Sequence, residues 1–330
     1  MNNSLHTRHL TPPPFRGLGG LCLVGLFLLL FLLDLCSGSV WISLWDMTEI
    51  EQYIFTSLRL PKALTAVLAG AALSVSGAMM QTLFRNPLAG PYILGVSSGA
   101  SLGVALITMA AGVFGVVAHS GGIVLSAVLG AAAVLLLVMA LARKIENNVT
   151  LLIVGMLVGS IAGALVNLIQ NYANPDALKL FIVWSLGSLS SVGWNQLPVL
   201  AAVVAVGLSL ALFLMKPLNG LMLGENYARG LGIAVERVRF LIVLSTGLLA
   251  GAITAFCGPI AFIGVAVPHL ARGLFGTSNH RQILPACALI GADMLLVCDI
   301  LSSLSTYPLP ISTVSALFGA PVVIWVLIKR

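Results

Sequence analysis

Stretches of about twenty residues without a single charge recur along this chain, and they restrict its fold more than any other feature. Residues 121–142 form one such run and residues 21–33 lie within another. As a helix rising 1.5 Å per residue, twenty residues cover the ~30 Å hydrocarbon core of a bilayer. Of the 330 residues, 59% are hydrophobic and 8% charged, whereas a soluble domain carries about 25% charged residues. That composition excludes a soluble fold. The net charge of +6 would suit a nucleic-acid partner if the cations were clustered. They are instead scattered singly between apolar runs, a pattern that belongs to membrane orientation and to no nucleic-acid surface.

Apolar runs bounded by glycine, proline and charge predict an all-α polytopic membrane protein with about ten spans. These fall near residues 17–36, 61–82, 92–110, 121–142, 149–171, 195–215, 240–257, 259–275, 284–303 and 312–328. Residues 1–16 read as a polar tail ahead of a single transmembrane domain over 17–330. With both termini inside, Arg8, Arg16, Arg85, Arg143, Lys144, Lys216, Arg229, Arg237, Arg239, Arg272, Arg281, Lys329 and Arg330 all fall inside. Only Arg59, Lys62 and Lys179 fall outside, as the positive-inside rule requires. Pro61, Pro87, Pro91, Pro259, Pro268, Pro285, Pro308 and Pro310 are placed at or near segment ends. The eighth segment, flanked by Pro259 and Pro268, reads as a broken or re-entrant helix, which needs protein or a water-filled cavity around it.

Several motifs invite chemistry. Gly95-Val96-Ser97-Ser98-Gly99 matches the GxSxG nucleophile elbow, but that elbow needs a strand-to-helix turn and a histidine within reach of Ser97. Here it sits in a small-residue helical run, where close helix packing is the favoured reading. No lysine follows a glycine, so the phosphate loop is absent. His6, His9, His119, His269 and His280 never form the i, i+4 pair of a zinc site, and His269 with Arg272 is read as fixing a helix end. Cys22, Cys36, Cys257, Cys287 and Cys298 lack a CxxC pair and read as small buried hydrophobes. Asp293 and Asp299 lie within the ninth span, where a carboxylate is costly and signals function by default. Leu68-Ala69-Gly70-Ala71 with Gly77 recurs at Leu249-Ala250-Gly251-Ala252 with Gly258. An internal transporter repeat and a pair of small-residue interfaces both account for it. Residues 216–239 form the longest polar internal segment, a solvated loop or a docking platform. Within it, residues 225–232 read as a short helix stopped by glycine, followed by a second short helix.

Taken together, several segments resemble the FecCD-type permeases of bacterial ABC importers for iron-siderophores, haem and cobalamin. The matching stretches are Arg59-Leu60-Pro61-Lys62, the run from Gly70 to Gly77, Asn86-Pro87-Leu88-Ala89-Gly90-Pro91 and Leu94 to Ala100. Trp184-Ser185-Leu186-Gly187-Ser188-Leu189, Gly258 to Gly264, Val267 to Arg272, His280-Arg281, Leu284-Pro285 and Gly319-Ala320-Pro321 follow in the same order.

The resemblance implies a type II importer permease in the bacterial inner membrane, working as a dimer with a second copy or a homologous permease. It implies two cytoplasmic ATP-binding subunits, which hold ATP and its Mg²⁺, and a periplasmic substrate-binding protein. This chain itself is then expected to carry no catalytic residue, metal or cofactor. Residues 216–239 resemble the family's coupling helices, with Glu225, Ala228, Arg229, Gly230 and Gly232 as the ATPase contact. Arg59 and Lys62 match basic positions that pair with glutamates of the binding protein, and Asn86 and Asn148 match positions that narrow the inner end of the path. This chain departs from the family pattern at three places. Ser302-Ser303 replaces an arginine expected to form an outer salt bridge. Pro308-Leu309-Pro310-Ile311-Ser312 replaces Glu-Leu-Pro-Val-Gly. Asp293 stands where the family has a small or apolar residue. The expected function is ATP-driven import of an iron-siderophore or a haem- or cobalamin-like chelate. The rivals are a proton-coupled secondary transporter using Asp293 and, from a third class, an intramembrane enzyme using Ser97.

Overall fold

The computed structural model describes residues 17–38, 41–42, 46–110, 120–145, 147–304 and 309–328. The tail expected over 1–16, together with His119, Pro308, Lys329 and Arg330, lies outside the described residues. The helices are α1 (Leu18–Cys36), α2 (Glu49–Ile54), α3 (Leu60–Leu83), α4 (Val96–Ala105), α5 (Ser120–Ala142), α6 (Asn148–Asn171) and α7 (Pro175–Ser185). They continue with α8 (Leu197–Phe213), α9 (Met215–Met222), α10 (Glu225–Gly230), α11 (Val235–Cys257), α12 (Ile263–Phe275), α13 (His280–Ser303) and α14 (Ile311–Ile328).

Six helical stretches among the described residues are long and apolar enough to cross a bilayer: α1, α2 running into α3, α5, α6, α11 and α13. The pair α8 and α9, bent by 53°, makes a seventh, and α4, α12 and α14 are shorter apolar helices. The ten expected segments are all present. Four short helices, α2, α7, α9 and α10, lie outside them among the described residues. The last, α10, is the glycine-stopped helix read from residues 225–232, but no second short helix follows it: α11 starts directly at Val235, and the companion, α9, precedes it.

The stretch from Glu49 to Leu83 is 35 residues long, about 52 Å as a helix and some 20 Å more than the hydrocarbon needs. Its surplus lies at α2, which starts on a capping box in which the Thr48 N–H donates to Glu51 Oε2 over 2.9 Å and the Glu51 N–H donates to Thr48 Oγ1 over 3.3 Å. Pro61 stands in the first turn of α3, as the sequence suggested, yet the helical stretch runs on before it. A π-helical turn, Phe55–Arg59, precedes it and accommodates its missing N–H, while Trp194 Nε1 donates to the Thr56 carbonyl at 2.8 Å.

Burial sorts the helices. The central ones, α3 and α11, are buried over 83% and 78% of their apolar stretch, whereas α1 and α6 are buried over only 17% and 22%. Small residues let the centre close. A Cβ placed on Gly70 would lie 2.1 Å from the Gly291 carbonyl oxygen of α13, and one on Gly77 would lie 1.7 Å from that of Gly264 on α12. The two Leu-Ala-Gly-Ala motifs fall on the two central helices, and a Cβ on Gly251 would be 3.3 Å from Val96 and 3.5 Å from Ala131. Both copies thus serve as small-residue interfaces. Cys257, Cys287 and Cys298 are buried as expected, but Cys22 is exposed on the outward face of α1.

The broken eighth span is present. At 13 residues, α12 is about 20 Å long and too short to cross alone, so the non-helical residues 258–262 complete the passage. Their neighbourhood is satisfied by protein, as membrane depth demands: the Ser188 N–H donates to Cys257 O at 2.7 Å, and the Ile260 N–H donates to Tyr92 Oη at 3.3 Å. Phe262, at φ +64°, turns the chain into α12. Pro268 and Pro285 do not mark segment ends, since each lies inside its helix. The ninth span, α13, begins four residues earlier than its apolar run because Asn279 caps it, the Arg281 N–H donating to Asn279 Oδ1 at 3.0 Å.

Candidate functional site

The ends of α3, α6 and α10 border an open hollow of about 770 Å³. Its wall includes Asn148 at the start of α6 together with Glu225, Tyr227 and Arg229 of α10, so the structure brings one expected path residue and part of the expected coupling set to a single hollow. Gly224, at φ +114°, separates α9 from α10, and Gly232, at φ +79°, ends the turn after α10. Ala228 is fully buried beneath the helix, and nothing packs within reach of Gly230. Leu223, Tyr227 and Leu231 stand exposed on this end, 56% or more of each surface being free.

Asn148 Nδ2 donates to the Leu83 carbonyl at 2.8 Å, fixing α6 to the end of α3. Asn86 lies in the next loop, outside the cavity wall, where its Oδ1 accepts from the Leu88 N–H at 2.9 Å and shapes the turn. That loop and the end of α3 are held from α12, since His269 Nε2 bonds the Pro87 carbonyl at 2.8 Å and Arg272 Nη1 donates to Gln81 Oε1 at 2.6 Å. The reading of these two side chains as fasteners agrees with this geometry. In the coupling segment Arg229 pairs with Glu236 at 2.7 Å on the surface. Arg239, counted among the inside cations, is buried. It donates to the Ile145 carbonyl at 2.7 Å and pairs with Glu225 at 3.4 Å.

At the opposite end of α3, Arg59 Nη1 donates to the Cys36 and Leu35 carbonyls at 2.7 and 3.1 Å, closing the C-terminus of α1. Lys62 Nζ lies 2.8 Å from Asp299 Oδ1 and donates to Ser303 Oγ at 2.7 Å. Asp34 of α1 is buried beside Asp299 and Lys62 in the same cluster. Thus Lys62 supplies the cation that Asp299 would otherwise lack through the replacement of arginine by Ser302-Ser303, and Ser303 joins the same cluster. A cavity of about 230 Å³, lined by Lys62, Asp299, Ser188 and Ser190 among others, adjoins it. Sequence reasoning missed Asp34, although a lone carboxylate in an apolar run was the signal that singled out Asp293 and Asp299.

Asp293 is 5% exposed, and neither carboxyl oxygen has a hydrogen-bond partner among the described residues. Ser97 stands in the first turn of α4 after a 3₁₀ turn, Pro91–Leu94, and not after a strand. The helix-packing reading of its motif fits, since a Cβ on Gly99 would lie 2.5 Å from the Gly130 carbonyl oxygen on α5. No group of three or more metal-ligating side chains occurs among the described residues.

A multi-span helical bundle with a broken central span, polar hollows at one end and a short helix pair beside them defines a membrane transport subunit. The chain belongs to the FecCD transport family, whose model matches residues 26–329, and this family consists of ABC transporter permeases. It is 39% identical over 313 residues to the vitamin B12 import system permease protein BtuC of Shigella boydii, covering 94% of each chain. Among solved structures it is similar to a metal-chelate type ABC transporter in an inward-facing conformation, with a TM-score of 0.86, 32% identity and coverage of 94% of this chain and 98% of that one. PsaBC from Streptococcus pneumoniae shares the fold alone, at a TM-score of 0.53 and 14% identity over 81% of this chain and 90% of that one.

Proposed function

We propose that this chain is the permease subunit through which an ABC importer passes an intact metal chelate into a bacterial cell. The observation that carries the reading is the α9–α10 end: exposed Leu223, Tyr227 and Leu231 stand among Arg85, Glu225 and Arg229, beside a hollow that also holds Asn148. An apolar ridge rimmed by charge fits a protein contact, and charged side chains are costly against the hydrocarbon of a bilayer. The partner there is the ATPase, the end is cytoplasmic, and both termini lie on that side. Arg85, Arg143, Lys144, Lys216, Arg229, Arg237, Arg272 and Arg281 all follow or precede spans at this end, in keeping with the positive-inside rule. A second permease copy or a homologue completes the path, which Asn86 and Asn148 narrow.

ATP is hydrolysed in the partner, and transport is a population shift. Nucleotide favours one arrangement of the spans and the loaded binding protein favours the other. Docking of that protein uses Arg59 and Lys62, whose heads are half-buried while bonded to α1 and Asp299. The glutamates of the binding protein therefore add bonds to cations already held in place. Among metal chelates, the likeness to a vitamin B12 import permease favours a corrinoid over a ferric siderophore.

Vesicles holding the permease with its ATPase test this. Radiolabelled cyanocobalamin should accumulate only with ATP and binding protein together, with ferric siderophore as the competing cargo. Uptake driven by a pH gradient alone would support the secondary carrier instead. The unpartnered Asp293 is the one observation favouring that rival. Its removal separates the two: Asp293→Asn should leave ATP-driven uptake within about twofold of wild type, because no bond is lost and only a desolvation cost disappears. Abolished uptake in this variant would count for proton coupling.

A further inference from the structure

We infer that Asn219, His280 and Thr82 form the link by which the coupling segment moves the path end of α3, so that they act as positioning residues in coupled transport. This rests on the permease reading above. The link is continuous. Asn219 of α9 accepts at Oδ1 from both the His280 N–H and His280 Nδ1, each at 2.8 Å, and its Nδ2 donates to the α13 cap Asn279 at 2.9 Å. On the other side of the same ring, Nε2 lies 2.8 Å from Thr82 Oγ1, in the last turn of α3. Three residues beyond Thr82 the chain leaves α3 through Arg85, at φ +48°, into the Asn86-Pro87 loop.

The bonding fixes the direction of each donor. Asn219 must present oxygen to the backbone N–H of His280, so Nδ1 carries the ring proton and Nε2 accepts from the Thr82 hydroxyl. A neutral imidazole then joins two elements with one bond at each nitrogen, and His280 is 1% exposed, so water does not compete. The same hydroxyl can instead donate to the Ala78 carbonyl at 3.0 Å, but that carbonyl already has its helical N–H donor, whereas Nε2 has no other donor among the described residues.

The elements at the two ends have reason to move together. A 53° bend separates α9 from α8, so α9 can tilt about that joint while α8 stays in the bundle. The side-chain bonds that leave α9 run to the start of α13 and, from the Met222 carbonyl, to Arg85 at 3.5 Å. One route ends at Thr82 in the last turn of α3 and the other at Arg85, where the chain enters the Asn86-Pro87 loop. A tilt imposed on α9 is therefore delivered to Thr82 and Arg85 through these bonds, alongside the packing of buried Leu218 and Leu221.

The test uses the complete complex of permease and ATPase in nanodiscs, with ATP hydrolysis measured without and with the binding protein. The ratio of the two rates is independent of how much complex folds, and it needs no knowledge of the cargo. Thr82→Val, which exchanges hydroxyl for methyl at constant shape, should leave the basal rate unchanged and lower the stimulation about fivefold, the scale of one hydrogen bond. Thr82→Ser should retain it. Asn219→Leu should match Thr82→Val, and the double variant should lose no more than either alone, because both cut the same link. Stimulation intact in Thr82→Val, equal damage in Thr82→Ser, or basal and stimulated rates falling in parallel would overturn the link. Absence of stimulation in the wild-type complex would instead sink the permease reading itself, and this inference with it.

Discussion

Gly77→Ala is expected to abolish transport and to lower the yield of folded permease sharply, although it adds one methyl group to a helix. The added Cβ would sit 1.7 Å from the Gly264 carbonyl oxygen and 2.5 Å from its carbon. No side chain can rotate away, because the obstacle is the backbone of α12. Relief requires α3 and α12 to part by well over 1 Å, and α3 is buried on all sides through this region. Overpacking a close-packed interior costs about 3 kcal/mol or more when backbones must shift, and here it also displaces the broken span beside residues 258–262. The control is Gly25→Ala on α1, where nothing lies within 4 Å and helix propensity predicts a gain of up to about 1 kcal/mol. Thermal unfolding in detergent should place the two variants on opposite sides of wild type. A Gly77→Ala permease as stable as wild type would show that the α3–α12 contact is looser than described.

That contact also shows what could be read from the amino-acid order. Spans were legible because the bilayer demands length and apolarity together, and even the break at Pro259 announced itself. The helices α2 and α7 were missed because neither has an apolar run of span length, and α2 hides its continuity behind Pro61. At the coupling end, the segment 216–239 was visible as polarity between spans. Its connection to α3 was not, since Thr82, Asn219 and His280 belong to three separate helices and each looks ordinary in its own neighbourhood. Lys62 and Asp299 were both noticed, the one as a docking cation and the other as a costly carboxylate, yet nothing in the sequence joined them. Pairing across a bundle depends on which helix faces meet. Periodicity says little about faces when a helix is apolar all round.

The Lys62–Asp299 pair lets structural and docking roles be told apart. Lys62→Met is expected to destabilise the permease by about 3 kcal/mol, because it leaves Asp299, 3% exposed at its side chain, beside Asp34 without its cation. Replacing both partners is a different matter: a buried pair exchanged for apolar or neutral groups of similar volume is often close to neutral. Lys62→Met with Asp299→Leu should therefore recover most of the lost stability, as measured by unfolding midpoint in detergent. Ser303 loses its donor in either case, but its hydroxyl lies at a helix end where water can replace the bond. If Lys62 serves only the bundle, transport returns with stability in the double variant. If it also meets the binding protein, the double variant is stable yet docks more weakly. The deficit then grows as salt is lowered, since wild type gains most from its half-buried charge when screening is least. Equal stability of wild type and Lys62→Met would refute the ion pair as a structural element. Arg59, whose Nη1 donates to two carbonyls of α1, offers the comparison. Arg59→Gln keeps a donor for those carbonyls while deleting the charge, so it should weaken docking at a smaller cost in stability than Lys62→Met.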